Sequence, residues 1–418
     1  MTATPPRVLI VTEHASFRFG GEAILPAHYF KGLRDRGVEC WLITHERTRP
    51  ELDAAFANDR DRITYLPDTR LVKTLYRLSK PLPDRLSYFT LGWLIRLLNQ
   101  RTARKLARRL VAEHHIDVVH QPIPVSPKEP TLLHTLGAPL VIGPMNGGMH
   151  YPPDYAHYDR LAVRLFGRAA AALVPLLHAI MPGKRRAAML LVANDHTRAA
   201  LPIKHPRIET LVENGVDLRL WQPRSYPADA APAAPTRFLF AGRLIRLKGV
   251  DLLLEATRLV RDRGHSIHLE IAGDGPLRAD LERKAAALNL TDTVTFAGWV
   301  DQSALASRMA AADVFVLPSL HECGGAVVLE AMATALPTIA LDWGGPADYL
   351  DTETGLLLPP APRGRLIASL ADAMTALATD PARRRTMGEA ARRKVEREYD
   401  WNQKIDRILA CYAAARGK

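Results

Sequence analysis

Short apolar runs alternate with longer helical patterns along the whole of this 418-residue chain. In the first half the runs fall at residues 7–12, 39–44, 64–66, 117–120, 140–143 and 189–193. In the second half they fall at 237–241, 267–272, 294–297, 314–317, 338–340 and 356–358. A strand covered by helices on both faces has no reason to alternate polar and apolar residues. Continuous runs bounded by Gly, Pro or Asp therefore read as buried parallel strands. Stretches such as 22–36, with Ala23, Pro26, Ala27, Phe30 and Leu33 on one face, supply the crossover helices. The pattern predicts an α/β chain with two doubly wound parallel sheets of about 200 residues each. Residues 222–236 carry four prolines and no apolar period, which marks the opening of the second domain. Ligands in such sheets lie beyond the carboxyl ends of the strands.

Composition narrows the chemistry. Hydrophobic residues make up 47% and charged residues 24%, which excludes disorder for the bulk of the chain. Lys and Arg number 56 against 44 Asp and Glu, a surplus of 12 that favours anionic partners. Cys40, Cys323 and Cys411 are scattered. No CxxC pair or His/Cys cluster has zinc-ligand spacing, so neither a disulfide framework nor a metal site is expected, and a reduced compartment fits. The opening apolar run is too short for a signal peptide. The longest apolar stretch, 169–181, is interrupted by Pro175 and His178 and falls short of the roughly 20 residues that a spanning helix needs.

Chemistry concentrates in the loops after the expected strands. Gly242-Arg243-Leu244-Ile245-Arg246-Leu247-Lys248-Gly249 joins a strand end to a helix start. There the Arg243 fork, the Lys248 point charge and the helix amides could hold an anion, or the loop could be a solvated basic turn. Gly273-Asp274-Gly275-Pro276 permits a close backbone approach but is also ordinary loop chemistry. Neither it nor Gly20-Gly21 is the GxGxxG fingerprint, which disfavours a nicotinamide enzyme. After the 314–317 strand, Glu322 sits in a loop with Gly324 and Gly325, and Glu330 lies about two turns into the next helix. The two carboxylates could address different hydroxyls of one extended polyol, and the glycine amides a phosphate. Alternatively both are plain structural or surface acids. Gly20-Gly21-Glu22 precedes the first helix, and Gly143-Pro144-Met145-Asn146-Gly147-Gly148 reads as another strand-end loop. His120 ends a strand, where it could meet a substrate or serve the core. Asp59-Arg60-Asp61 superficially matches a metal-binding DxD but follows no strand, and reads as a solvated loop.

In order and spacing these pieces resemble the GT-B glycosyltransferases of the large retaining family 4, also called glycosyl transferases group 1. The resemblance covers nearly the whole chain. It rests on Gly20-Gly21-Glu22, Asn214-Gly215-Val216-Asp217, Gly242-Arg243-Leu244 with Lys248-Gly249, Gly273-Asp274-Gly275-Pro276, the Asp313–Ser319 strand, Glu322 through Glu330, and Gly344-Gly345. It implies two Rossmann-like domains facing across a cleft: an acceptor domain over 1–205, a nucleotide-sugar domain over 206–390, and a helix over 391–418 crossing back. It implies that Arg243 and Lys248 bind the donor diphosphate, with the amide of Gly21 nearby. Glu330 would hold ribose hydroxyls. Glu322 would meet donor-sugar hydroxyls beside Gly324, Gly325 and Ala326. Gly242 and Gly273 would line the donor, and Trp299 and Val300 would border the base. Arg243, Lys248, Glu322 and His120 are the expected catalytic residues. The donor would be a UDP-sugar or GDP-sugar, with no cofactor and no metal, and the reaction would keep anomeric configuration. Three departures stand out: Glu322-Cys323-Gly324-Gly325 replaces Glu-Gly-aromatic-Gly, Asp348 stands for a glutamate, and His120-Gln121-Pro122 lacks the second histidine of His-x-His.

Residues 70–110 hold eleven Lys and Arg against Asp84 alone, interleaved with Leu, Tyr, Phe and Trp. Residues 160–186 add six more basic side chains and no acid. Such segments suit an anionic bilayer surface, or a packed helix with a solvated basic face. The expected acceptor is therefore a lipid-linked or cell-envelope saccharide. The expected location is cytoplasmic and peripheral on the inner membrane. The other classes considered are a GT-B sugar-nucleotide 2-epimerase or hydrolase, and a basic nucleic-acid binder. No nucleic-acid module signature supports the latter.

Overall fold

The computed structural model describes residues 5–18, 21–82, 87, 90–158, 173–224 and 235–417. These divide into two compact units. The first draws on residues 1–148, 165–213 and 405–418, and the second on 149–164 and 214–404.

The first unit is built on a parallel sheet of strands β1 (Val8–Val11), β2 (Cys40–His45), β3 (Ile63–Leu66), β4 (Val118–Gln121), β5 (Leu140–Met145), β6 (Met189–Val192) and β7 (Ile208–Thr210). Among the described residues their order is β3-β2-β1-β4-β5-β6-β7. Every residue of β1, β2, β4, β5 and β6 is buried, as a sheet covered on both faces requires. Strand β7 escaped the sequence reading because it is a three-residue edge strand. Its Glu209 and Thr210 are exposed, so no apolar run announces it.

Helix α1 (Ile24–Asp35) follows β1 and buries Pro26, Ala27, Phe30 and Leu33 as the spacing foretells, with Leu25 and Tyr29 added. Ala23 belongs instead to a 3-10 turn, Gly21–Ala23, ahead of the helix. Helices α2 (Arg70–Ser79) and α3 (Leu91–Glu113) pack together between β3 and β4.

The second unit carries β8 (Thr236–Ala241), β9 (Ile267–Ala272), β10 (Val294–Gly298), β11 (Val314–Leu317), β12 (Thr338–Leu341) and β13 (Gly355–Leu358). Among the described residues their order is β10-β9-β8-β11-β12-β13, again parallel throughout. All six stand where the apolar runs place them. Helices α4 (Val250–Asp262) and α5 (Ala326–Ala333) follow β8 and β11.

The unit boundaries differ from the sequence expectation in three ways. The change of unit falls between Glu213 and Asn214, not after residue 205, because β7 still pairs with β6. Residues 149–158, expected in the first domain, belong to the second unit. The expected terminal helix from 391 is two helices, α6 (Pro381–Glu398) and α7 (Trp401–Arg416), and only residues from Ile405 onward join the first unit. There Gly32 makes room for Ile405: a Cβ on Gly32 would stand 2.6 Å from Ile405 Cγ1. The proline-rich break lies largely outside the described residues.

Candidate functional site

In each sheet the chain runs outward from one central strand and then restarts on its other side. In the second unit those two neighbours are β8 and β11. At such a switch point the loops leaving the two strands diverge and open a crevice at the carboxyl ends. The loop after β8 is residues 242–249, and the loop after β11 is residues 318–325.

Backbone bonds hold these loops together with their neighbours. Leu244 N–H donates to Asp274 O at 2.9 Å, Leu320 N–H to Leu247 O at 2.8 Å, and Gly345 N–H to Glu322 O at 3.0 Å. Two glycines are required by geometry. Gly249 has φ +67, and a Cβ there would strike the carbonyl of Pro318. Gly325 has φ +61, and its Cβ would lie 3.0 Å from Glu322 Cγ.

Across this switch point the Lys248 ammonium forms an ion pair with the Glu322 carboxylate. Both side chains are mostly buried, 16% and 15% exposed. The sequence treats these two residues as separate contacts. The fold brings them together from 74 positions apart, and no local pattern could have shown it. Arg243 is exposed and, among the described residues, has no ion-pair partner. Arg246 lies over the Tyr158 ring, 5.3 Å from its centroid.

Helix α5 begins at Gly325, which offers no capping side chain, and its first turn holds no acid. Among the described residues no side chain caps its first amides at the positive dipole end. Further along α5, burial pushes the Glu330 carboxyl up to about 7. The residue keeps part of its surface exposed, so the cost arises from the protein packed round the carboxyl rather than from full enclosure. Burial is the sole cause of this shift. Trp299, just past β10, is 75% exposed.

Residues 149–158 bring side chains that sequence reasoning missed. His321 hydrogen-bonds Met149 O at 3.2 Å and lies 5.1 Å from the Tyr151 ring. Trp343 Nε1–H donates to His150 O at 2.8 Å. The density of aromatic and proline residues in His150-Tyr151-Pro152-Pro153-Asp154-Tyr155 was the available signal.

The first unit treats its expected site residues differently. Gly21 has φ +57 with open space around it, and Gly20 lies outside the described residues. His120, expected among the catalytic residues, stands inside the first unit. It is completely buried; its Nε2–H donates to Gly143 O at 2.6 Å, and its Nδ1 accepts from Tyr412 O–H at 2.7 Å. A carbonyl accepts only, so the bond to Gly143 fixes this neutral tautomer. With both nitrogens engaged, the ring anchors α7 rather than a substrate. Asp59 is tied to Arg34 at 2.9 Å, a structural pair.

Much of the basic segment is visible on α3, where Arg101, Lys105 and Arg108 are exposed and line a groove with Arg104. Arg96 is paired with Glu129 at 2.9 Å. Arg85, Phe89, Arg160, Arg164 and Arg168 lie outside the described residues. No helix among the described residues is long and apolar enough to cross a membrane.

Two Rossmann-like units of this topology define a GT-B protein. Solved structures share the fold along almost the whole chain. Sucrose-phosphate synthase from Thermosynechococcus elongatus aligns over 97% of this chain and 98% of its own, with a TM-score of 0.66 and 21% identity. Anabaena HepE, solved in complex with UDP, aligns over 97% and 100%, with a TM-score of 0.65 and 16% identity. At those identities the likeness is one of fold.

The resemblance read from the loops narrows this further: residues 227–394 match the model of the family Glycosyl transferases group 1. D-inositol 3-phosphate glycosyltransferase of Arthrobacter sp. (strain FB24) is 35% identical over 238 residues, 54% of this chain and 55% of that protein. Alpha-D-kanosaminyltransferase of Streptomyces kanamyceticus is 31% identical over 246 residues, 59% and 61% of the two chains. The chain thus spans little more than half the length of these curated relatives.

Proposed function

We propose that this chain is a retaining hexosyltransferase. It takes a hexose from a nucleotide-diphosphate sugar, a UDP-sugar in preference to a GDP-sugar. It passes the hexose to a hydroxyl of a lipid-linked or cell-envelope saccharide. The observation that carries this reading is the Lys248–Glu322 pair bridging the β8/β11 switch point, beside Arg243, which has no ion-pair partner among the described residues. The group 1 family match over 227–394 and the UDP bound by HepE support the donor class.

The chemistry follows from the charges. As the bond from the anomeric carbon to the diphosphate breaks, its electron pair moves onto the leaving oxygen. Arg243, the α5 amides and Lys248 stabilise that charge, and together they supply what a metal ion supplies in other transferases. Lys248 exchanges the Glu322 carboxylate for phosphate oxygen. Glu322 is then free to accept hydrogen bonds from the sugar hydroxyls. Glu330 takes the ribose hydroxyls, and Trp299 borders the base. The acceptor oxygen bonds to the anomeric carbon from the face that the diphosphate leaves, and its proton passes to a leaving-phosphate oxygen. Configuration is kept, and no protein nucleophile is needed.

Arg101, Lys105 and Arg108 on α3, with the exposed Leu71, Leu78, Leu173, Leu176 and Ile180, support a peripheral position on an anionic, cytoplasmic-facing bilayer. Donor hydrolysis screened across common sugar nucleotides tests the main reading without knowledge of the acceptor. Arg243→Ala and Lys248→Ala should each lower turnover by about 10²-fold with the fold intact. Near-wild-type turnover in both variants would defeat the assignment.

A further inference from the structure

The chain leaves β5 at Met145 and enters β6 at Met189, yet residues 149–158 between them belong to the second unit. The segment begins Met149-His150-Tyr151-Pro152-Pro153, where the prolines restrict the backbone. A 3-10 turn, Pro153–Tyr158, follows and buries Tyr155.

This one segment is tied to the loops after β8, β11 and β12. After β8, the Arg246 guanidinium lies over the Tyr158 ring. After β11, His321 Nε2–H donates to Met149 O at 3.2 Å, and its ring packs 5.1 Å from the Tyr151 ring. After β12, Trp343 Nε1–H donates to His150 O at 2.8 Å. The next residue, Gly344, has φ +77, and a Cβ there would strike Glu322 O and lie 2.7 Å from Met149 Cε. Glycine is therefore required where loop and segment close on each other.

The ties fall beside the donor pair. Arg246 stands two residues before Lys248, and His321 immediately precedes Glu322. Glu322 O also accepts from Gly345 N–H at 3.0 Å, so the β12 loop holds the residue from its other side. In the proposed reaction Glu322 meets the sugar, whereas Arg243 and the α5 amides meet the leaving phosphate. A displacement of about 1 Å at a group that contacts the substrate can cost about 10²-fold in rate.

We propose that residues 149–158 are a strap that holds the donor loops in register, and that His321, through Met149 O, is a positioning residue for the Glu322 carboxylate. The inference rests on the transferase reading and adds to it what aligns the carboxylate.

The test measures donor hydrolysis by the full chain with UDP-glucose, UDP-galactose, UDP-N-acetylglucosamine and GDP-mannose, beside UDP calorimetry and amide hydrogen exchange. His321→Leu, which loses the N–H, should lower kcat on the fastest of these donors about tenfold and leave the UDP Kd within about twofold. His321→Gln, which keeps an N–H donor, should recover most of that loss. Trp343→Phe should move kcat in the same direction, and it keeps the test open if His321→Leu folds poorly. In a Glu322→Gln background His321→Leu should cost less than about twofold, because its effect runs through the carboxylate. The amides of Leu320 and Gly345, bonded to Leu247 O and Glu322 O, should exchange about tenfold faster in His321→Leu and in Trp343→Phe. An undiminished loss in the Glu322→Gln background, equal losses of UDP affinity and turnover, or wild-type exchange in both variants would overturn the proposal. A wild-type chain that hydrolyses none of these donors counts against the transferase reading, and exchange still decides the strap.

Discussion

Glu330→Gln gives the sharpest test of how the second unit treats charge. Burial lifts the Glu330 carboxyl from an ordinary 4.5 to about 7. Below pH 4.5 the group is protonated whether the chain is folded or not, and it contributes nothing. As pH rises from 4.5 to 7 the unfolded chain releases this proton while the folded chain retains it, so stability falls. Above pH 7 the folded state holds a poorly solvated carboxylate. At about 1.4 kcal/mol per pH unit over that interval, the cost reaches about 3 kcal/mol. Gln keeps the shape and cannot ionise. The variant should therefore match wild type near pH 4.5 and exceed it by about 3 kcal/mol at pH 8. That is roughly 6–12 °C in the melting of a unit this size. Differential scanning calorimetry at pH 5 and pH 8, on both proteins, reads this directly. A melting difference independent of pH would refute the claim that desolvation governs this carboxyl. The same variant should bind UDP more weakly, because the proposed ribose contact needs the ionised form. In wild type, UDP affinity should rise between pH 6 and 8.

Other expectations are more local. Gly325→Ala forces a side chain into a left-handed conformation against Glu322 Cγ, costing about 1–2 kcal/mol, and should lower donor turnover by displacing the carboxylate. Its effect is read by donor-hydrolysis kinetics beside a thermal melt. Tyr412→Phe removes the hydroxyl that donates to buried His120 Nδ1 and should cost about 1–3 kcal/mol in denaturant unfolding while donor turnover stays unchanged. Burial holds the Lys184 ammonium at about 7 although it donates to Ser126 O and Pro127 O. The unfolded chain keeps this proton up to about 10.5, so the Lys184 contribution to stability rises between pH 7 and 10, and Lys184→Met should flatten that slope in urea titrations. Vesicles containing anionic lipid should sediment the protein at low salt and release it at high salt. Replacing Arg101, Lys105 and Arg108 together by Glu should abolish the effect, and wild-type sedimentation by that triple variant would remove α3 from the proposed membrane surface.

The sheets were legible because burial on both faces writes an uninterrupted apolar run into each central strand. Val8–Val11 and Val314–Leu317 are such runs, and both stand where they were expected. Edge strand β7 was not legible, because two of its three residues, Glu209 and Thr210, are polar and exposed. The loop chemistry was partly legible. Glycines at 249 and 325 mark left-handed positions where a Cβ would strike the Pro318 carbonyl or crowd Glu322 Cγ, and Arg243 and Lys248 are placed by the strand before them and the helix after. The surroundings of His120 were not legible, because a histidine at a strand end looks the same in sequence whether it meets a substrate or a tyrosine 292 residues away.

By itself, then, the sequence determined the two parallel sheets and the loops that leave their strand ends, because periodicity and backbone sterics act over a few residues. Only the tertiary structure decided that Lys248 rests on Glu322, that His120 is spent on Tyr412, and that residues 149–158 belong with the second unit. Each of these joins segments far apart along the chain. Whether two charges or two rings meet depends on how the intervening elements pack, and no local pattern carries that.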